Sequence, residues 1–99
     1  MLSKNQVKLI QKLQQKKYRN ELNLFIVEGK KSIVEFLQAG YRLELLIATE
    51  VFATVLNGQP VTLVSKEELR KVSSLKNPDE GLAIFHQRQH KGILQEGVI

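Results

Sequence analysis

The chain of 99 residues contains no cysteine. Disulfides, thiolate nucleophiles and cysteine-ligated metals are therefore excluded, and a reducing, cytoplasmic setting is the natural expectation. No apolar run approaches the ~20 residues of a membrane span, so no membrane partner is expected. The N-terminus, with Lys4 and Lys8, is too charged for a signal peptide. Glycine-rich phosphate loops of the common spacings are missing. His86 and His90 stand four apart, but their segment lacks helical periodicity and an acidic partner at useful spacing, so no metal site is expected. The serines at 3, 32, 65, 73 and 74 have no histidine near them in sequence, and the carboxylates are scattered. No catalytic residue is expected in this chain, and no cofactor.

What is present is one small domain with an ordinary apolar fraction, 42%. The net charge is +5, and its distribution says more than its size. Residues 1–31 carry Lys4, Lys8, Lys12, Lys16, Lys17, Arg19, Lys30 and Lys31 against only Glu21 and Glu28, which leaves +6. Residues 32–99 hold seven basic and eight acidic groups, which leaves −1. The excess positive charge is thus confined to the first third, and it points to a polyanionic partner, nucleic acid first.

The chain is organised around a basic stretch that leads into an apolar one. Lys16, Lys17 and Arg19 precede Leu24, Phe25, Ile26 and Val27, a continuous apolar run suited to a buried strand. Cations are thereby anchored beside a core strand. Arginine offers phosphate a bidentate fork and a flat face for stacking, whereas lysine is a point charge. Lys12 lies on the polar side of a first helix that leads into this cluster. Tyr18 fits two roles, a platform for a base or a lid on the core. Lys30 and Lys31 open the next helix, where cations are disfavoured by the helix dipole and an anion would compensate. The candidate nucleic-acid contacts are therefore Lys12, Lys16, Lys17, Arg19 and Lys30. Glu28 suits the N-terminal end of that helix or the orienting of Arg19 or another cation. Glu28 and Gly29, at a sharp strand-to-helix turn, and Pro78 and Gly81, at a later turn, are expected to set loop geometry.

Along the rest of the chain, Ser3 caps a first helix running to about Gln15. Ile33, Val34, Phe36 and Leu37 give the second helix a buried side, and Gly40 ends it. Residues 43–48 form a second strand, and Val51, Phe52, Val55 and Leu56 lie on a third helical segment that stops at Asn57-Gly58. A short strand at 61–64 follows Pro60. Ser65 with Glu68 is a capping-box pattern, after which Leu69, Val72 and Leu75 continue a buried stripe. The stretch from Asn77 to Gly81 breaks that helix, and residues 82–85 are a last strand. Strands alternating with helices, about four of each, predict an α/β fold around a mostly parallel four-stranded sheet with right-handed crossovers.

Two motifs carry a family resemblance. Lys17-x-Arg19, then Phe25 and Glu28-Gly29 behind a first helix, resembles the N-terminal substrate-binding domain of the SpoU/TrmH-type RNA 2′-O-ribose methyltransferases. Asn77-Pro78-Asp79-Glu80-Gly81 before an apolar strand resembles that family's Pro-x-Gly-like turn, with Glu80 where an amide is common. The likeness covers about residues 2–87. It implies a three-layer α/β/α sandwich similar to the small kink-turn-binding ribosomal proteins. It implies an RNA partner, ribosomal RNA ahead of transfer RNA, held for a separate catalytic domain that follows and binds S-adenosylmethionine. Residues 1–87 are then the RNA-binding domain, and residues 88–99 a connector toward the catalytic domain of a parent protein that could be a homodimer. The competing reading is a protein-interaction or dimerisation domain with a merely solvated basic face, docking through Ile93, Leu94, Val98 and Ile99.

Overall fold

A computed structural model describes residues 2–56, 58–75, 78 and 80–88. Asn57, Asn77, Asp79, His90 and the four C-terminal apolar residues named above lie outside the described residues. The elements in chain order are α1 (Lys4–Lys12), α2 (Lys16–Leu22), β1 (Leu24–Glu28), α3 (Lys30–Gln38), β2 (Leu43–Ala48), α4 (Glu50–Ala53), β3 (Thr62–Leu63), α5 (Lys66–Val72) and β4 (Gly81–His86). The strand order across the sheet is β1-β4-β2-β3.

The sheet is mixed, which corrects the expectation of a mostly parallel one. β4 pairs antiparallel with both β1 and β2, and only β2 and β3 pair in parallel. The crossovers through α3 and α4 do leave β1, β2 and β3 running the same way. The reversal comes from the last connection. After α5, Ser73 and Ser74 reach Glu28 at the far end of β1. The chain then enters β4 beside that same end, where the Gly29 N–H donates to the Gly81 carbonyl at 3.4 Å. A strand entered from there must run against its neighbours.

Helices cover both faces, because each central strand is apolar on both sides. Leu24, Leu82 and Ile84 meet Ile10 and Leu13 of the α1 segment and Leu69 and Val72 of α5. Val27, Ala83 and Phe85, one residue out of phase, meet Ile33 of α3 and Phe52 of α4. The first face is aliphatic. The second carries an aromatic cluster in which Phe25, Phe36, Tyr41 and Phe85 sit 4.8–6.3 Å apart, centroid to centroid. In β4, Leu82, Ala83, Ile84 and Phe85 are all fully buried. Hiding each of the three larger side chains contributes about 1.5–3 kcal/mol, so β4 is the core of the domain.

Local chemistry sets the element ends. Ser3 and Gln6 form a reciprocal capping box at α1, and Ser65 and Glu68 another at α5, as the sequence pattern predicts for the latter. Gly29 holds φ +100°, which a side chain would resist. Gly81 is required by proximity: a Cβ there would stand 2.7 Å from a Phe52 ring atom and 3.1 Å from the Ile47 carbonyl oxygen. Glu44 is the extra residue of a β-bulge between Leu43 and Leu45, which frees its carboxylate to meet His86 Nε2 at 2.9 Å.

The first helix is shorter than its periodicity suggests. It stops at Lys12, and Gln15, in extended conformation, restarts the chain as α2. The basic stretch expected to lead directly into β1 is therefore itself helical, and it ends on Asn23 in the left-handed region, φ +56°. An asparagine at that position is a common helix stop, and it was the available signal.

Candidate nucleic-acid interface

The corner between α1 and α2 gathers most of the charge. Arg19 Nη1 donates to the Leu13 carbonyl at 3.0 Å. That carbonyl is one of the acceptors a helix C-terminus leaves without an internal partner. One N–H of the guanidinium thus pins the corner, and the others remain available. Tyr18 lies beside it, half-buried, and belongs to neither core cluster, so it is not a lid on the core. Its ring is instead approached by Lys12 Nζ at 5.6 Å and Lys17 Nζ at 5.4 Å. Lys8, Lys12 and Tyr18 line a shallow groove of about 250 Å³ together with Gln11 and Gln15.

The electrostatics of this corner are unfavourable without a partner. Lys8 and Lys12 are one turn apart, where like charges repel. Lys16 and Lys17 occupy the first turn of α2, which has no acidic residue there, at the positive end of its dipole. Among the described residues, none of Lys4, Lys8, Lys12, Lys16, Lys17 or Arg19 pairs with a carboxylate. By contrast, α4 starts with Glu50 and α5 with Glu67 and Glu68, the usual arrangement. Hydrogen bonds from the Ser65 and Leu2 backbone N–H groups hold the Glu68 carboxyl below the ordinary carboxylate range.

The other candidate residues are distributed over the fold. Lys30 is not brought to this corner. It opens α3 across the sheet from α1 and lines, with Lys31, Val34 and Phe52, an open hollow of about 540 Å³. Glu28 binds neither the start of α3 nor Arg19. Its carboxylate accepts the Ser73 hydroxyl, the Ser74 N–H at 3.1 Å and the Ser74 hydroxyl at 2.8 Å. Pro78 lines a small cleft with Lys66, Arg70 and Glu80. Glu80, itself at φ +52°, accepts the hydroxyl of buried Thr49 and lies 3.7 Å from Lys66 Nζ. Thr49, Ser73 and Ser74 organise these turns and were not singled out by sequence reasoning, since their partners lie 31 to 46 residues away.

A second cavity, of about 390 Å³, adjoins the corner. Leu13, Gln14 and Arg19 line it from the helical side, Ser74 and Leu75 from the segment after α5, and Glu28 from the end of β1. No group of histidine or carboxylate side chains able to hold a metal occurs among the described residues. No helix among them is long and apolar enough to cross a membrane.

A small α/β sandwich with an unneutralised basic corner has the build of a domain that binds a substrate. The chain belongs to the MRM3-like substrate-binding domain family, whose model matches residues 4–83. Solved structures agree. A protein assigned to the TrmH family of RNA methyltransferases, from Porphyromonas gingivalis, is 29% identical, with a TM-score of 0.78 over 87% of this chain and 36% of its own. An rRNA methyltransferase from Sinorhizobium meliloti is 32% identical, with a TM-score of 0.70 over 89% of this chain and 36% of its own. An RNA 2′-O ribose methyltransferase is 27% identical, with a TM-score of 0.73 over 88% of this chain and 36% of its own. The chain thus spans about a third of the proteins it resembles. No curated protein matches it.

Proposed function

We infer that this domain grips RNA, ribosomal RNA ahead of transfer RNA, so that a separate catalytic domain of the same protein can methylate a ribose 2′-hydroxyl. The observation that carries the reading is the α1–α2 corner, where Lys12 and Lys17 flank one tyrosine and no described carboxylate neutralises them. Phosphates would relieve the repulsion, and Tyr18 and Arg19 offer flat faces to unpaired bases. The solved relatives described as RNA methyltransferases support the same reading. S-adenosylmethionine would be bound by that catalytic domain and not by this one. Residues 88–99 would lead toward that domain, in a cytoplasmic protein whose sandwich resembles the small ribosomal proteins that bind kinked RNA.

The test is a salt titration of binding to a labelled ribosomal RNA fragment. Each phosphate contact contributes about 0.7–0.9 to the slope of log affinity against log salt. Lys17→Ala and Arg19→Ala should each weaken binding by about three- to tenfold at low salt and flatten the slope by about one such step. Unchanged affinity and slope in both variants would remove the corner from the interface. The dimerisation reading expects a tight dimer that is indifferent to RNA, and sedimentation with and without the RNA separates the two.

A further inference from the structure

We propose that the cavity along the open edge of β1 receives one unpaired nucleobase of the bound RNA, read by the backbone of Ile26; this rests on the RNA reading above. β1 is an edge strand, paired only with β4. The Gln87 N–H donates to the Asn23 carbonyl at 2.8 Å, and the Gly29 N–H to the Gly81 carbonyl. In an antiparallel ladder this turns the odd positions of β1 toward β4 and the even ones, Leu24, Ile26 and Glu28, outward.

The outward groups are not equally open. The Gln87 amide donates to the Leu24 carbonyl at 3.3 Å and so covers that end. Among the described residues, nothing bonds the backbone of Ile26 or Glu28. The two open positions span only residues 26–28, the lower limit for an added strand. A neighbouring N–H and C=O do, however, match the donor–acceptor edge of a single base.

The rest of the cavity fits the same ligand. Its volume, about 390 Å³, is at the small end of ligand sites. Leu13 supplies an apolar wall, and Leu75, 45% exposed, supplies an uncovered apolar surface from the segment after α5. A base stacked there would cover it. Arg19 brings N–H donors not used by Leu13, and the phosphates on either side of the base would fall to Lys16 and Lys17, whose charges no described carboxylate answers. Because a base within a duplex cannot enter such a slot, the site selects loops and bulges over continuous helix.

The experiment uses the full 99-residue chain and two RNA probes of equal charge, a hairpin with a loop containing unpaired adenines and a continuous duplex. The hairpin should bind about tenfold more tightly or better. Leu75→Trp and Gln14→Trp, at exposed lining positions on two different segments, would fill the slot without entering the core. Both should bring the hairpin down to the duplex affinity and leave the salt slope unchanged. Addition of hairpin should also shift the Ile26 amide resonance of the wild-type chain. Equal affinity for the two probes, or hairpin preference surviving in both tryptophan variants, overturns the slot and leaves RNA binding standing. Failure of the wild type to bind either probe at low salt overturns both. A shift of the Ile26 amide by an extended Thr-Val peptide, and not by the hairpin, would overturn the slot in favour of strand addition.

Discussion

Two groups of basic side chains in the described fold are held in opposite ways. At the end of β4, His86 meets Glu44 at 2.9 Å, and Arg88 donates to the Ala39 carbonyl while lying 3.9 Å over the Tyr41 ring. Those side chains are engaged by the fold, and they tie the last strand to β2 and to the end of α3. At the α1–α2 corner, Lys12 and Lys17 have only an aromatic face for company, and Lys16 opens a helix against its dipole. A cation–π contact of each kind is worth about 0.5–1 kcal/mol at exposed sites. The difference lies in what else is satisfied. Arg88 has an acceptor within the chain, whereas no described carboxylate pairs with the corner lysines.

That contrast is open to a direct attack. Reversing both corner charges, Lys12→Glu with Lys17→Glu, should lower RNA affinity by about a hundredfold or more at low salt, since two phosphate contacts become repulsions. The melting temperature should change little, because the relieved repulsion and an acid at the start of α2 offset two lost ring contacts and an acid in the last turn of α1. A large loss of stability in that variant would mean the lysines serve the fold after all. A smaller effect is expected just past β4. Arg88→Ala should cost about 1 kcal/mol of stability, measured by urea unfolding, through the lost hydrogen bond and ring contact. Its RNA affinity and salt slope should equal those of the unaltered chain, and a weakened RNA complex would erase the distinction.

Several features were legible before the fold was known because their causes are local. The run from Leu24 to Val27 reads as a buried strand, and the observed β1 adds only Glu28. The Ser65–Glu68 box marks the start of α5 because both partners lie within one turn. The α2 helix was hidden, since Lys16 to Leu22 buries no side chain and so leaves no apolar period to detect. The direction of β4 was hidden for another reason. It depends on Ser73 and Ser74 finding Glu28, a contact across 45 and 46 residues that no spacing reveals. The candidate site was legible as a charge cluster, but its division was not. Sequence alone grouped Lys30 with Arg19, while the fold sets α3 on one face of the sheet and α1 on the other.

The position of β4 also dictates timing on the ribosome. Until residues 81–86 emerge, β1 and β2 have no strand between them and both hydrophobic layers lack their shared middle. Synthesis of about four-fifths of this chain should therefore yield a protease-sensitive nascent polypeptide, which becomes resistant only when that last segment clears the exit tunnel. Protection appearing in ribosome-bound chains truncated well before Gly81 would show that the sheet can close by another route.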